Sequence, residues 1–253
     1  VRRLRKGFSR QLIAILTISW IDGVLSLRRA PLWVVSYLLM PLALLFFFSI
    51  YGNPIMMKIS IIGGIIMIAM SNGISILGDA AFYRIYVKYQ DLLIATPLRP
   101  ISYILGLSLS MLVFASPGLM LFLVLAWLLS MMTPSFTLIL AICLIMVWAS
   151  SSFMGFIVST LFNRLRHVWP VASILSLVLA ILPPVYYPAT ILPQGYQWIG
   201  ALAPTGAAAM ILHQVSGLIE LETSAIMTSI ASLIGYMTLF VLLLIFRARW
   251  REG

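Results

Sequence analysis

The stretch most able to do covalent chemistry is ASSSFMG, residues 149–155, which offers Ser150, Ser151 and Ser152 as nucleophiles. A serine attacks when a neighbouring base takes its proton, and no histidine or lysine lies at matching depth in that apolar run. With Gly155 and Ser159, these serines read instead as a small-residue face along which helices approach closely, and Gly63, Gly64 and Gly73 read the same way. His167 and His213 fall on opposite sides of the expected topology, too far apart to share a metal. The single Cys143 excludes an internal disulfide or a cysteine-cluster metal site. The acids Asp22, Asp79, Asp91, Glu220, Glu222 and Glu252 all fall at the ends of apolar runs, in loops or on an N-terminal interfacial helix, so no carboxylate pair within a span marks ion coupling. No GxxxxGK[ST] loop occurs, so this chain lacks the P-loop means of holding ATP. The expectation is a chain without catalytic residue, cofactor or metal of its own.

The elements that must position these residues are set by composition. Of 253 residues, 62% are hydrophobic and 9% charged, far from the roughly 25% charged of a soluble domain. Lipid cannot satisfy backbone donors and acceptors, and the apolar runs are continuous rather than alternating, so the predicted fold is all-α and polytopic. Six spans are expected, at 31–51, 59–78, 101–130, 136–161, 169–182 and 224–246, within a single transmembrane domain covering 1–253. A net charge of +10 would suggest nucleic acid in a soluble protein. Here the charges cluster at the ends of apolar runs, which points to a lipid bilayer and not to nucleic acid. Fifteen of the sixteen Lys and Arg fall on the side of the termini, and only Lys58 falls on the other, so both termini are expected in the cytoplasm of a multi-pass cell-membrane protein.

The opening VRRLRKGFSR starts like a signal peptide, but no small-residue cleavage site follows, so the N-terminus is expected to be retained. Ser19, Asp22, Ser26 and Arg29 recur at helical spacing opposite Leu16, Trp20, Val24 and Leu27. Residues 1–30 are therefore expected as an amphipathic helix along the cytoplasmic interface. The rival reading, a seventh span at 11–27, would place five cations outside against the charge rule.

Between the last two spans runs PPVYYPATILPQGYQWIGALAPTG, residues 183–206. The preceding apolar run of about 14 residues covers roughly 21 Å of a core about 30 Å thick before Pro183 and Pro184 break it. Residues 183–223 are thus expected as a re-entrant outer segment, with Pro188, Pro193 and Pro204 shaping it and Tyr186, Tyr187, Tyr196 and Trp198 at the interface. The other polar interruption, residues 79–100, carries Tyr83, Arg84, Tyr86, Lys88, Tyr89 and Asp91, an aromatic and charged face of the kind protein interfaces favour.

An N-terminal elbow, six spans, a cytoplasmic segment ending in TPLRP and the proline-rich stretch before the last span together resemble the permease subunits of type 2 (ABC-2) ABC transporters. That resemblance implies a second permease copy, a homodimer, and a separate P-loop ATPase subunit that holds ATP and Mg. It further implies residues 82–93 as a coupling helix, Arg164 and Arg166 of the second cytoplasmic loop as a minor contact, and export of an amphiphilic or hydrophobic substrate such as a drug, lipid, glycolipid or peptide. The alternative from the residues is an ion-coupled carrier or channel acting without an ATPase.

Overall fold

The computed structural model describes residues 2–88, 98–193 and 195–247, and every regular element among them is helical. Helix α1 (Arg2–Ile18) runs unbroken through a π-helical stretch (Ser19–Leu25) into α2 (Ser26–Arg29). Then follow α3 (Leu32–Tyr51), α4 (Pro54–Ile85), α5 (Pro100–Leu128), α6 (Pro134–Ser159), α7 (Leu165–Ile181), α8 (Pro204–Val215) and α9 (Thr223–Arg247). Two 3-10 turns, Ala189–Ile191 and Gln197–Leu202, lie between α7 and α8. Proline sets several of the starts, because its missing N–H costs nothing in a first turn. Pro54 and Pro134 each follow a capping side chain, with Asn53 Oδ1 accepting from Met56 N at 2.8 Å and Thr133 Oγ1 from Phe136 N at 3.3 Å.

Among the described residues six helices are long and apolar enough to cross a membrane, so the chain is an all-α polytopic membrane protein. Five of them answer to expected spans. The expected span at 169–182 is instead the 17-residue α7, stopped short by Pro183 and Pro184, and the sixth long helix is Ser9–Arg29.

The distribution of polarity is inverted relative to a water-soluble protein. Leu39, Phe46, Leu138, Ile145, Met227 and Leu239 are among many large apolar side chains on the outside, while Ser108, Ser150, Ser151, Ser152, Thr205, His213 and Ser229 are buried. Where the surroundings are apolar, polar groups find partners only inside. α4 forms the centre, its side chains buried almost continuously from Ile59 to Ala81. Small residues let its neighbours close in. A Cβ on Gly73 would lie 2.7 Å from Ser151 Cβ of α6, and one on Gly155 would lie 3.1 Å from the Ile74 carbonyl. The 149–155 stretch is thus used where α6 meets α4.

The N-terminal helix packs differently from the expected interfacial placement. Gln11 Oε1 accepts from Arg99 N at 3.0 Å, Ser19 Oγ donates to Gly106 O at 3.1 Å, and a Cβ on Gly23 would lie 2.9 Å from Ser110 O. These contacts climb both helices together, so residues 11–23 run alongside α5 in the same direction. The apolar side, with Leu12, Ile13, Leu16 and Trp20, faces outward, and the polar stripe faces the bundle. The amphipathic spacing is real, but the surface it fits is protein.

Substituting Gly73→Val forces α4 and α6 apart, a change expected to cost about 1–3 kcal/mol. The thermal midpoint in detergent should fall accordingly, whereas Gly235→Val, where a Cβ meets nothing within 4 Å, should leave it unchanged.

Candidate functional site

On α4, Ser71, Ser75, Asp79 and Tyr83 recur every fourth residue and form one ridge, with Asn72 beside it. Facing it stands the stripe of the first helix, Asp22, Ser26 and Arg29, continued by Trp33, Ser36 and Tyr37 of α3. Met111 and Phe114 of α5 and Trp169 of α7 complete the walls of a cavity of about 420 Å³. The Trp169 ring lies directly on Gly78, where a Cβ would be 2.6 Å from it. The opposing ridges are tied by Tyr83, whose hydroxyl donates to Asp22 Oδ1 at 2.9 Å. Asp22 itself sits in the π-helical stretch, a wide turn of the kind frequent at functional sites.

Several donors lining this space are already committed. Tyr37 donates to Phe114 O at 2.9 Å, Ser75 to Ser71 O at 2.9 Å, Ser36 to Trp33 O at 2.8 Å, and Asn72 Nδ2 to Ile68 O at 2.9 Å. Asp79 lines the cavity without a hydrogen-bond or ion-pair partner among the described residues. The expectation that the acids fall only at span ends, in loops or on an interfacial helix is corrected for Asp79, which lies within α4 and lines the same chamber as Asp22. Placing Asp79 at the end of a span hid it, because α4 continues as helix to Ile85. The four-residue spacing from Ser71 to Tyr83 is the signal that finds it.

The residues predicted as an interface are divided. Tyr83 faces the chamber, and Arg84 Nη2 donates to Ser159 O at 2.8 Å and Phe162 O at 2.5 Å, closing the C-terminal end of α6. Residues 82–85 are the last turn of α4 and not the start of a separate helix. Tyr86 is exposed and stacked on Phe82 with ring centroids 5.5 Å apart, and Lys88 is exposed in a turn at φ 52°. Tyr89 and Asp91 lie outside the described residues. Arg164 precedes α7 and Arg166 lies in its first turn, both exposed, with Arg166 Nε donating to His167 Nε2 at 3.2 Å.

The proline-rich segment is folded against the bundle. Pro183, Pro184, Tyr186 and Pro204 are buried, Tyr187 and Pro188 are half-buried, and Pro193 and Trp198 are exposed. Pro183 has no N–H for the carbonyl of Leu179 four residues back, and Thr205 Oγ1 supplies the missing donor at 2.6 Å. Tyr187 does the same for Leu182 O at 2.5 Å, and Ser232 Oγ reaches Ala201 O at 2.5 Å. Gly63 admits Tyr186, whose hydroxyl lies 3.1 Å from Met67 Sδ. On α8, His213 is fully buried and neither ring nitrogen has a partner among the described residues, so burial pushes it down to about 3 and keeps it neutral.

No protein-family model and no curated protein matches this chain.

Two outcomes follow from this geometry. Tyr83→Phe and Asp22→Asn should each lower the thermal midpoint, and a double-mutant cycle should return a coupling of about 0.5–3 kcal/mol. For His213, the unfolded chain takes a proton near the ordinary 6.5 and the folded one only near 3. Stability is then complete above pH 6.5 and drops as pH falls, by about 1.4 kcal/mol per unit for one proton. Midpoints measured between pH 6.5 and 5 should show this slope, and His213→Leu should flatten it.

Proposed function

We propose that this chain is the membrane-spanning subunit of an ATP-driven exporter of the ABC-2 type, moving an amphiphilic or hydrophobic substrate such as a drug, lipid, glycolipid or peptide. The observation that carries a transport reading is the chamber, a space of about 420 Å³ whose mainly apolar walls carry a few polar groups, Asp22, Asn72 and Asp79 among them. Such a space is of the size that takes small molecules. Packing alone gives no reason to keep it.

The partner assignment rests on the resemblance in layout and on one end of the bundle. Tyr86, Lys88, Arg164 and Arg166 are exposed there, and Arg84 holds that end of α4 to the end of α6. A separate P-loop ATPase, which would hold ATP and Mg, would dock on this end. Asp79 and Tyr83 sit within two turns of it on the same continuous helix, so displacing the 86–88 turn would move one wall of the chamber. By the charge bias this end and both termini would face the cytoplasm at the cell membrane, and a second copy of the chain would complete a homodimer. The folded segment 183–203 and α8 would then be the re-entrant outer piece.

A second reading is an ion-coupled carrier working without an ATPase. It is favoured by the shared placement of Asp22 and Asp79, since acids facing a cavity within a membrane bundle mark ion pathways.

The test is reconstitution with the ATPase encoded alongside. The chain alone should hydrolyse no ATP, and Tyr86→Ala with Lys88→Glu should abolish its stimulation of the ATPase while the thermal midpoint stays put. Full stimulation by that variant, or ATP turnover by the chain alone, would overturn the proposal. Substrate movement driven by an ion gradient without ATP would establish the carrier reading.

A further inference from the structure

We infer that the chamber is a binding site for an organic cation, a protonated or quaternary amine carried on an aromatic or aliphatic body. The inference deepens the transport reading and rests on it for the route by which such a ligand arrives.

Charge is the first argument. Asp22 and Asp79 line the same space, and a carboxylate charge on one disfavours a charge on the other. Arg29 is the one cationic side chain among the lining residues, and it is exposed. It makes no ion pair with either acid among the described residues. A bound cation would relieve the repulsion between the carboxylates. An anion would meet two carboxylates against one hydrated guanidinium.

Hydrogen-bonding capacity points the same way. The hydroxyls of Tyr37, Ser36, Ser75 and Tyr83 and the amide N–H of Asn72 are spent on protein acceptors. Acceptors remain open on both oxygens of Asp79, the second oxygen of Asp22 and Oδ1 of Asn72, beside the hydroxyl and indole donors of Ser26, Ser71, Trp33 and Trp169. Asn72 is 4% exposed, lines the cavity, and has no partner for that oxygen among the described residues. Two of these acceptor groups are carboxylates, which suit a ligand that brings donors or positive charge.

The walls select an organic cation over a bare ion. Trp33, Tyr37, Tyr83, Phe114 and Trp169 supply aromatic faces, which attract cations and cover apolar bodies. Among the described residues no group of three His, Cys, Asp or Glu side chains exists to hold a metal. Two carboxylates fall short of the six or more oxygens a divalent ion such as calcium takes.

The experiment uses the full chain purified in detergent. Benzyltrimethylammonium is titrated against tryptophan fluorescence, which Trp33 and Trp169 report from the chamber, with phenylacetate as the anionic probe of similar size. Saturable quenching by the cation is expected, with none by the anion. Asp79→Asn should weaken binding by about tenfold or more while keeping the wild-type thermal midpoint, Asp22→Asn should weaken it likewise at its lowered midpoint, and Asp79→Glu should retain binding. Tighter binding of phenylacetate, no saturable binding of the cation, or undiminished affinity in both asparagine variants would overturn the inference. If the asparagine variants fail to fold, calorimetric titration of the wild-type chain with the same two probes decides between cation and anion. Cation binding without transport in vesicles would remove the proposed function and leave the site. Transport of neutral amphiphiles without cation binding would do the reverse.

Discussion

Every polar side chain in this protein is governed by the fact that hydrocarbon offers no hydrogen bonds. A stripe of polar residues on a helix must then face another helix, a cavity or a loop folded over it. Ser19, Asp22, Ser26 and Arg29 meet that demand by turning inward beside α5, and the ridge from Ser71 to Tyr83 meets it from the other side. The chamber is what results when two such stripes oppose each other and aromatic residues, not small ones, stand between them. Where small residues stand between helices, as at Gly73 and Gly155, the helices close completely.

The same constraint explains the proline-rich segment. Ending α7 at two prolines frees carbonyls that lipid would leave unsatisfied, and the chain returns its own hydroxyls to them, Thr205 to Leu179 and Tyr187 to Leu182. Ser232 of α9 fastens the same segment from the far side at Ala201. Local sequence, helix ending and tertiary contact are here one solution to one problem. α4 connects the two regions, admitting Tyr186 at Gly63 near one end and carrying Asp79 and Tyr83 near the other.

Much of this was legible in the sequence because it depends on spacing and composition. Apolar run lengths located the long helices, Pro183 and Pro184 marked where α7 stops, and the period of Ser19, Asp22, Ser26 and Arg29 identified a polar face. What that face touches was not legible, because a polar stripe suits an aqueous interface and a buried cavity equally well. Asp79 was lost for a related reason: a polar stretch following an apolar run looks like a loop, yet it continues the helix when a cavity takes Asp79 and Asp22 accepts from Tyr83. Tyr83 and Arg84 read as a docking surface by type, and only tertiary structure turns one to the chamber and the other to the α6 carbonyls.

The central claim is that the α4 ridge faces water inside the bundle and not lipid. It is tested most directly by thiol accessibility in sealed vesicles, with Ser75→Cys in a Cys143→Ala background and a membrane-impermeant, water-soluble thiol reagent. The account predicts ready labelling at position 75 and none for Leu39→Cys on the outward face of α3. Labelling at position 75 no faster than at position 39 would contradict it.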